Sequence, residues 1–383
     1  MDIQPFSIQV PDAVLEDLQR RLAVTRWPGE IPGSDWDYGS NLAYVQELTE
    51  YWRTRFDWRA QEKMLNTFHH YKANVDGLGI HCIHEKGKGP RPMPLVITHG
   101  WPGSFFEMYK IIPRLTDPAS YGGDPADAFD VVVPSMPGYG FSDPPQQRGM
   151  HVLKISDLWV KLMDGLGYPR FGAQGGDWGA SVTNYLGLAY PQQLIGIHTT
   201  SLTRPTPYLG AGSSPLTDAE QAFMAQREAW LQAEGGYSHI QGTKPQTLAY
   251  GLNDSPAGLA GWLVEKYRTW SDCHGEVESR FTKDELLTTI SLYWVTQTIN
   301  SSTRLYYETL RHPWNMQQGE RVTVPTGMAV FPGEISRPPR EWGERSFNIQ
   351  RWTEMPSGGH FAALEEPDAL VAEVRAFFRG LRP

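Results

Sequence analysis

One stretch constrains this chain more than any other: Gly175-Gly176-Asp177-Trp178-Gly179. Residues 168–174 before it read as a short strand, and residues 180–190 after it as a helix closed by Pro191. A strand that turns sharply into a helix, with small residues two before and two after a central polar residue, exposes a nucleophile at the top of a sheet. Glycines are needed because such a turn strains the backbone and packs the helix close against its strand. The central residue is an aspartate, and no Gly-x-Ser-x-Gly occurs anywhere in the chain. A carboxylate is ionised at neutral pH, so it can attack saturated carbon without a base and form an alkyl ester. That favours ring opening or displacement over acyl transfer. The plainer reading, a Gly-rich turn whose Asp caps a helix, competes with it. The partners found elsewhere in the chain weigh against that reading.

The rest of the chain supplies a matching rhythm. Short apolar runs at 94–98, 130–133, 194–198 and 324–331 predict strands, with 351–355 as the last. Helix-like stretches at 105–115 and 151–166 separate the earlier runs, and an amphipathic helix over 367–379 closes the chain. Residues 68–75, the pair Asp76-Gly77 and residues 80–84 predict a β-hairpin. The alternation predicts a parallel sheet covered by helices, and with the strand–Asp–helix turn it predicts the α/β-hydrolase fold. From about 203 to 312 the strand rhythm stops and aromatics such as Trp230, Trp262, Trp270 and Trp294 accumulate. An insertion of this size between two strands predicts a helical lid over the strand ends, where such sheets bind ligands. Residues 1–75 read as an accessory segment of three helices: at 11–25 with Pro11 in its first turn, from a cap at Ser40 through Trp52, and at 57–66. The expected division is therefore 1–75 accessory, 76–202 core, 203–312 lid and 313–383 core.

Composition narrows the partners. The net charge is −9, from 34 basic and 43 acidic residues, and the basic ones are scattered. Nucleic acid and anionic membrane surfaces are poor partners for such a surface. No window approaches eighteen apolar residues, and the N-terminus has no signal-peptide pattern, so a soluble protein is expected. Cys82 and Cys273 give no disulfide framework, which suits the cytoplasm. In that setting Asn253-Asp254-Ser255 and Asn300-Ser301-Ser302 match the glycosylation pattern only by chance. His81-Cys82-Ile83-His84 invites a metal reading, yet residues three apart in a strand point to opposite faces. No metal and no organic cofactor is expected. A homodimer is left open.

The aspartate needs partners, and three positions supply them. His99-Gly100-Trp101-Pro102-Gly103-Ser104 follows the strand at 94–98. In this fold the loop there gives one backbone N–H of an oxyanion hole, and the residue after the nucleophile gives the other. Those donors would be the amides of Trp101 and Trp178. His99 stands in the wrong chain order to be a base and reads as a structural histidine. The base should come late: Gly358-Gly359-His360-Phe361 follows the last predicted strand, and of the eleven histidines only His360 has this placement. The chain order nucleophile, acid, histidine then asks for a carboxylate between them. Glu334, in Phe331-Pro332-Gly333-Glu334 at a strand end, is the acid. Glu354, within or beside a predicted strand, is the runner-up.

The pieces HGWPGS, GGDWGA, FPGE and GGHFAALEEP resemble those of epoxide hydrolases of the microsomal type. So do Phe56-Asp57-Trp58-Arg59, Gly236-Tyr237-Ser238-His239-Ile240-Gln241 and Asn253-Asp254-Ser255-Pro256, and the likeness spans essentially the whole chain. Mammalian members carry an N-terminal membrane anchor; with no such segment here, the chain resembles the soluble microbial branch. It is also similar, with no single motif carrying the likeness, to epoxide hydrolases of bacterial enediyne pathways, which implies secondary metabolism. The resemblance implies two lid tyrosines that donate to the epoxide oxygen, and by motif these fall on Tyr237 and Tyr306, with Tyr307 adjacent to the second. It implies a lipophilic epoxide and water as the reactants and a vicinal diol as product. A haloalkane dehalogenase also uses an Asp-Trp turn, but there the lid tyrosine pair is absent. A non-catalytic ligand receptor on the same fold would have no need of the intact Asp177, Glu334 and His360 set.

Overall fold

The structure, a computed structural model, describes residues 1–382. Its centre is a sheet of nine strands: β1 (Ile3–Phe6), β2 (His70–Val75), β3 (Leu78–Glu85), β4 (Met93–Thr98), β5 (Phe129–Pro134), β6 (Phe171–Gly175), β7 (Leu194–Thr199), β8 (Val322–Val330) and β9 (Phe347–Glu354). The spatial order is β1-β2-β3-β5-β4-β6-β7-β8-β9. The first three strands run antiparallel to their neighbours, and β5 through β9 form a parallel block. This is the α/β-hydrolase architecture that the alternation predicts.

The short apolar runs are strands because both of their faces are covered. In β4, Val96 joins one hydrophobic core while Leu95 and Ile97 join the other; in β5, Val132 opposes Val131 and Val133 in the same way. Period-two alternation between two cores leaves no polar position, which is why these segments read as continuous apolar runs. The β2–β3 hairpin turns on Asp76 and Gly77, both at positive φ (52° and 82°), the turn that matches strand twist. His81 and His84 sit on opposite sides of β3: His81 bonds Ser135 and His70, whereas His84 bonds Tyr168.

The structure differs from the sequence reading at several places. β1 was not expected; it is four residues long, contains Pro5 and is tolerated because it lies at the sheet edge. The cap of the second helix, Leu42–Thr54, is Asn41, whose side chain accepts from Tyr44 N, while the Ser40 hydroxyl donates to Gly261 O (2.5 Å). Pro11 stands at the cap of Asp12–Ala23 rather than inside its first turn. The stretch 105–115 divides into a short 3₁₀ turn, Phe105–Met108, and a helix, Ile111–Thr116. β9 begins four residues before the predicted run, because its first half is partly exposed and carries polar Asn348 and Gln350.

Between β7 and β8 lie six helices: Asp218–Glu234, Gly236–Thr243, Pro245–Leu252, Pro256–Trp270, Lys283–Thr296 and Ile299–Arg311. They cover the ends of the parallel strands. Leu259, Leu263, Tyr267, Trp270, Leu287 and Ile290 from these helices are buried in the same core that lies under β4 and β6. The helices Asp12–Ala23 and Leu42–Thr54 pack on Pro256–Trp270, and Arg21 pairs with Asp254 at 2.6 Å. Among the described residues no helix is long and apolar enough to cross a membrane.

Candidate active site

β6 ends at Gly175, and the following helix, Asp177–Ala189, starts at the aspartate itself, three residues earlier than its sequence pattern suggests. Asp177 is held at φ 50°, a left-handed conformation that costs a side-chain-bearing residue about 1–3 kcal/mol. The flanking glycines have a steric reason. A Cβ on Gly179 would lie 1.9 Å from the carbonyl oxygen of Thr98, and one on Gly175 would lie 2.3 Å from that of Gly179. Gly100 is equally constrained: its Cβ would meet the Cβ of Asp177 at 2.3 Å. The loop after β4 can therefore approach the carboxylate, and Trp101 N donates to Asp177 Oδ1 at 2.8 Å. Trp178 follows in the first helical turn, where backbone N–H groups have no intrahelical acceptor and the helix dipole favours negative charge.

The late histidine reaches this carboxylate. Gly333 and Gly359 bridge their two loops, Gly333 N donates to Gly358 O at 2.9 Å, and Gly358 takes φ 101°. His360 Nε2 then stands 3.5 Å from Asp177 Oδ2 and Nδ1 stands 2.8 Å from Glu334 Oε1. Both the imidazole and the Glu334 carboxylate are buried. Burial pulls the imidazole's affinity for a proton down, but Glu334 and Asp177 outweigh it, and the pKa lies well above the ordinary histidine value. His360 therefore carries its proton while Asp177 is an anion. Glu354 is exposed and accepts from Trp352 Nε1, away from this line. His99 is buried, accepts from Met136 N at Nε2 and bonds Gly100 O through Nδ1, and burial takes its pKa down to about 4. It is a neutral strut between two loops.

Tyr237 and Tyr306 come down from the lid onto the same spot. Tyr237 stacks on Trp101 (5.5 Å, 9° between planes), and Tyr306 stands edge-on to Trp178 (4.8 Å, 89°). The two phenol rings are 6.0 Å apart. Burial raises the pKa of each, with Asp177 adding to it in both and Tyr237 adding to it in Tyr306, so both remain neutral donors. Tyr307 turns away to the surface, where the Arg311 guanidinium lies over its ring. Asp177, His360, Glu334, Trp101, Trp178, Tyr237 and Tyr306 thus converge, and Glu354 and Tyr307 do not. The cluster brings together the groups that making and cleaving an ester on a carboxylate require: the Asp177 carboxylate, a histidine paired with a buried acid, the Trp101 amide bonded to the carboxylate and two phenols within its electrostatic reach.

Residues 3–108 match the family described as Epoxide hydrolase N terminus, and residues 93–367 the family described as alpha/beta hydrolase fold. A Stigmatella aurantiaca protein provisionally named an epoxide hydrolase is 45% identical over 384 residues, which is 99% of this chain and 86% of that protein. Epoxide hydrolase 1 of Sus scrofa is 38% identical over 400 residues, 98% of this chain and 88% of the relative. The chain belongs to the epoxide hydrolase family. Among solved structures, the juvenile hormone epoxide hydrolase of the silkworm Bombyx mori superposes with a TM-score of 0.88 at 29% identity, covering 100% of this chain and 95% of that one.

The cluster in this epoxide hydrolase family member contains two features that sequence reasoning missed. His360 N donates to Trp270 O at 2.9 Å, and the Trp270 ring stands edge-on to the imidazole at 5.2 Å, so a lid helix ends directly on His360. Next to it, Asp272 Oδ2 accepts from Gly358 N (2.9 Å) and from Arg280 (2.8 Å), and Asp272 N donates to Glu365 (2.8 Å). The second is Glu107, a buried carboxyl facing the site. Trp270 stood out in the sequence only as one of many lid aromatics, and Glu107 carried no signal there at all.

Proposed function

We propose that this chain opens a lipophilic epoxide to a vicinal diol through an ester on Asp177, which water activated by His360 and Glu334 then hydrolyses. The observation that carries the reading is the line from the partly exposed Asp177 carboxylate to the buried His360 and Glu334, with two neutral phenols within electrostatic reach of the same carboxylate. In the first half-reaction an Asp177 oxygen attacks an epoxide carbon. The C–O bond of the ring breaks, and the oxygen takes a hydrogen bond and then a proton from the Tyr237 and Tyr306 pair. Both phenols hold their protons at neutral pH, which suits donors to an alkoxide.

Esterification removes the charge of Asp177, one of the two anions that keep His360 protonated. The imidazole can then give up its proton, which restores the phenol that protonated the alkoxide, and accept one from water. That water attacks the ester carbonyl carbon, the oxyanion forms at the amides of Trp101 and Trp178, and collapse frees the diol. Glu334 orients the ring and balances the imidazolium. The rings of Trp101, Trp178 and Trp270 around the carboxylate support a lipophilic substrate. Both cysteines are free and buried, which supports action in the cytoplasm. No observation favours halide displacement, for which the phenol pair has no use.

The test is a single turnover with enzyme in excess over an aryl epoxide in ¹⁸O-water. The first diol formed should contain almost no label, because its new oxygen comes from Asp177. Immediate incorporation of label into the diol would mean direct attack by water and would end the ester reading.

A further inference from the structure

A cavity of about 30 Å³ lies at the Asp177 carboxylate, lined among others by Gly100, Glu107, Gln174, Asp177, Thr200 and His360. That volume accommodates one or two water molecules, and the lining offers the several polar partners that a held water needs. One of them is unsatisfied: Gln174 Oε1 is buried without a hydrogen-bond partner among the described residues. Another, Glu107, has no role in the reaction described above. It sits in the 3₁₀ turn Phe105–Met108 that follows the Trp101 loop, and its side chain folds back over Gly103. A Cβ on Gly103 would fall 1.4 Å from Glu107 Oε1, so the glycine leaves the space that the carboxyl fills.

The charged groups that act on Glu107 are His360 and Asp177, and from the lid Tyr267 and Tyr293 lie within its electrostatic reach. Burial raises its pKa to about 8, with His360 pulling it back and Asp177 adding to the rise. Near neutral pH it is a neutral acid that can both donate and accept. Those are the properties required of a group that holds water beside a carbonyl about to become an oxyanion. A fixed anion there would oppose the developing charge.

We propose that Glu107 positions the hydrolytic water in this cavity. The inference rests on the two-step ester reading and deepens its second half. In that step the water oxygen bonds to the ester carbonyl carbon, one water proton passes to His360 Nε2, and the other O–H remains hydrogen-bonded to a Glu107 carboxyl oxygen. The carbonyl π electrons move to the oxyanion; collapse re-forms the carbonyl and breaks the ester C–O bond, and the departing diol oxygen takes the proton of the new carboxyl, so that Asp177 returns as a carboxylate and His360 as an imidazolium.

Half-reactions separate this role from a merely structural one. Stopped-flow tryptophan fluorescence with styrene oxide, checked by intact-mass detection of the ester, should show that Glu107→Leu forms the ester within about threefold of the parent rate. The same variant should hydrolyse the ester roughly 10²-fold more slowly, the scale of a misplaced reactant, so the ester accumulates. Glu107→Gln, which keeps a donor and an acceptor, should restore most of the hydrolysis rate. Gly103→Ala, which pushes the Glu107 carboxyl out of place without changing it, should repeat the selective loss, and it covers the case in which Glu107→Leu does not fold. Equal slowing of both half-reactions, or normal ester hydrolysis in both Glu107→Leu and Gly103→Ala, overturns the role. If the parent protein forms no ester, the underlying mechanism falls, which is a different result.

Discussion

The lid phenols give the sharpest prediction, because Tyr306→Phe removes one hydroxyl and little else. Its ring is held edge-on by Trp178 at 4.8 Å and by Trp101 at 5.8 Å, and a phenylalanine ring keeps those contacts. What is lost is a buried donor to an oxygen that becomes negative as the epoxide opens. A hydrogen bond to a charged group is worth about 1.5–3 kcal/mol, and removal of an oxyanion-hole donor costs about 2.7–4 kcal/mol. The Tyr237 ring lies 6.0 Å away and still offers its hydroxyl, so the lower range applies to the single variant. Each of Tyr306→Phe and Tyr237→Phe should therefore slow ester formation by roughly 10–150-fold, at about 1.4 kcal/mol per factor of ten. The double variant should lose at least about 10²-fold, the product of the two lower limits, and more where donors that share one acceptor cover for each other in the single variants. Ester formation with excess enzyme, followed by tryptophan fluorescence and mass, measures this directly. Hydrolysis of preformed ester should change by less than about threefold, since the proposed mechanism gives that step to His360 and Glu334. Tyr307→Phe should be silent, as that ring faces the surface under Arg311. If Tyr307→Phe slows ester formation while Tyr306→Phe does not, or if none of the three matters, the donors have been wrongly identified.

Three further outcomes follow from other parts of the site. His360→Gln should allow ester formation but trap the product as a stable mass adduct on the peptide containing Asp177, with Glu334→Gln giving a milder version; normal turnover in both would remove the relay. Because the folded-state pKa of His360 is raised, its contribution to stability is fully present below the unfolded value of about 6.5 and declines as pH rises through the folded value. Urea midpoints should therefore drop on the alkaline side, and His360→Gln should flatten that part of the profile; a profile unchanged by the substitution would contradict the charge assignment. Gly179→Ala, whose Cβ would come within 1.9 Å of Thr98 O, should cost about 1–3 kcal/mol in unfolding experiments, and wild-type stability together with wild-type activity would show that the elbow tolerates a shift.

The sequence exposed those parts of the site whose chemistry is local. Gly175 through Gly179 must be a tight turn whatever surrounds it, and the loop Gly358-Gly359-His360 shows its flexibility beside its histidine. Strands buried on both faces, such as β4 and β5, write their environment into four or five consecutive apolar residues. Other features depend on distant partners. Glu107 looks like any surface glutamate until Gly103 is seen to make room for it, and Trp270 meets His360 through a main-chain carbonyl, which has no residue-type signature. β1 was hidden because four edge residues containing a proline carry no alternation, and the Ser40 cap gave way to Asn41 because the Ser40 hydroxyl is engaged across the lid interface by Gly261.

The fastening between the helix end at Trp270 and the His360 loop bears on how such enzymes can be recombined. Trp270 O, Asp272 and Arg280 come from the insertion, yet they bond His360, Gly358, Glu365 and Glu366 of the core. The insertion is therefore not a detachable cassette that can be traded for altered selectivity while the chemistry stays behind. A chimera joined at the ends of residues 203–312 would replace the main-chain acceptor of His360 N and the carboxylate that bonds Gly358, and would confuse substrate choice with displacement of the His360 loop. A crossover that leaves residues 270–280 with their own histidine loop would keep that alignment and make the remaining lid helices the variable part.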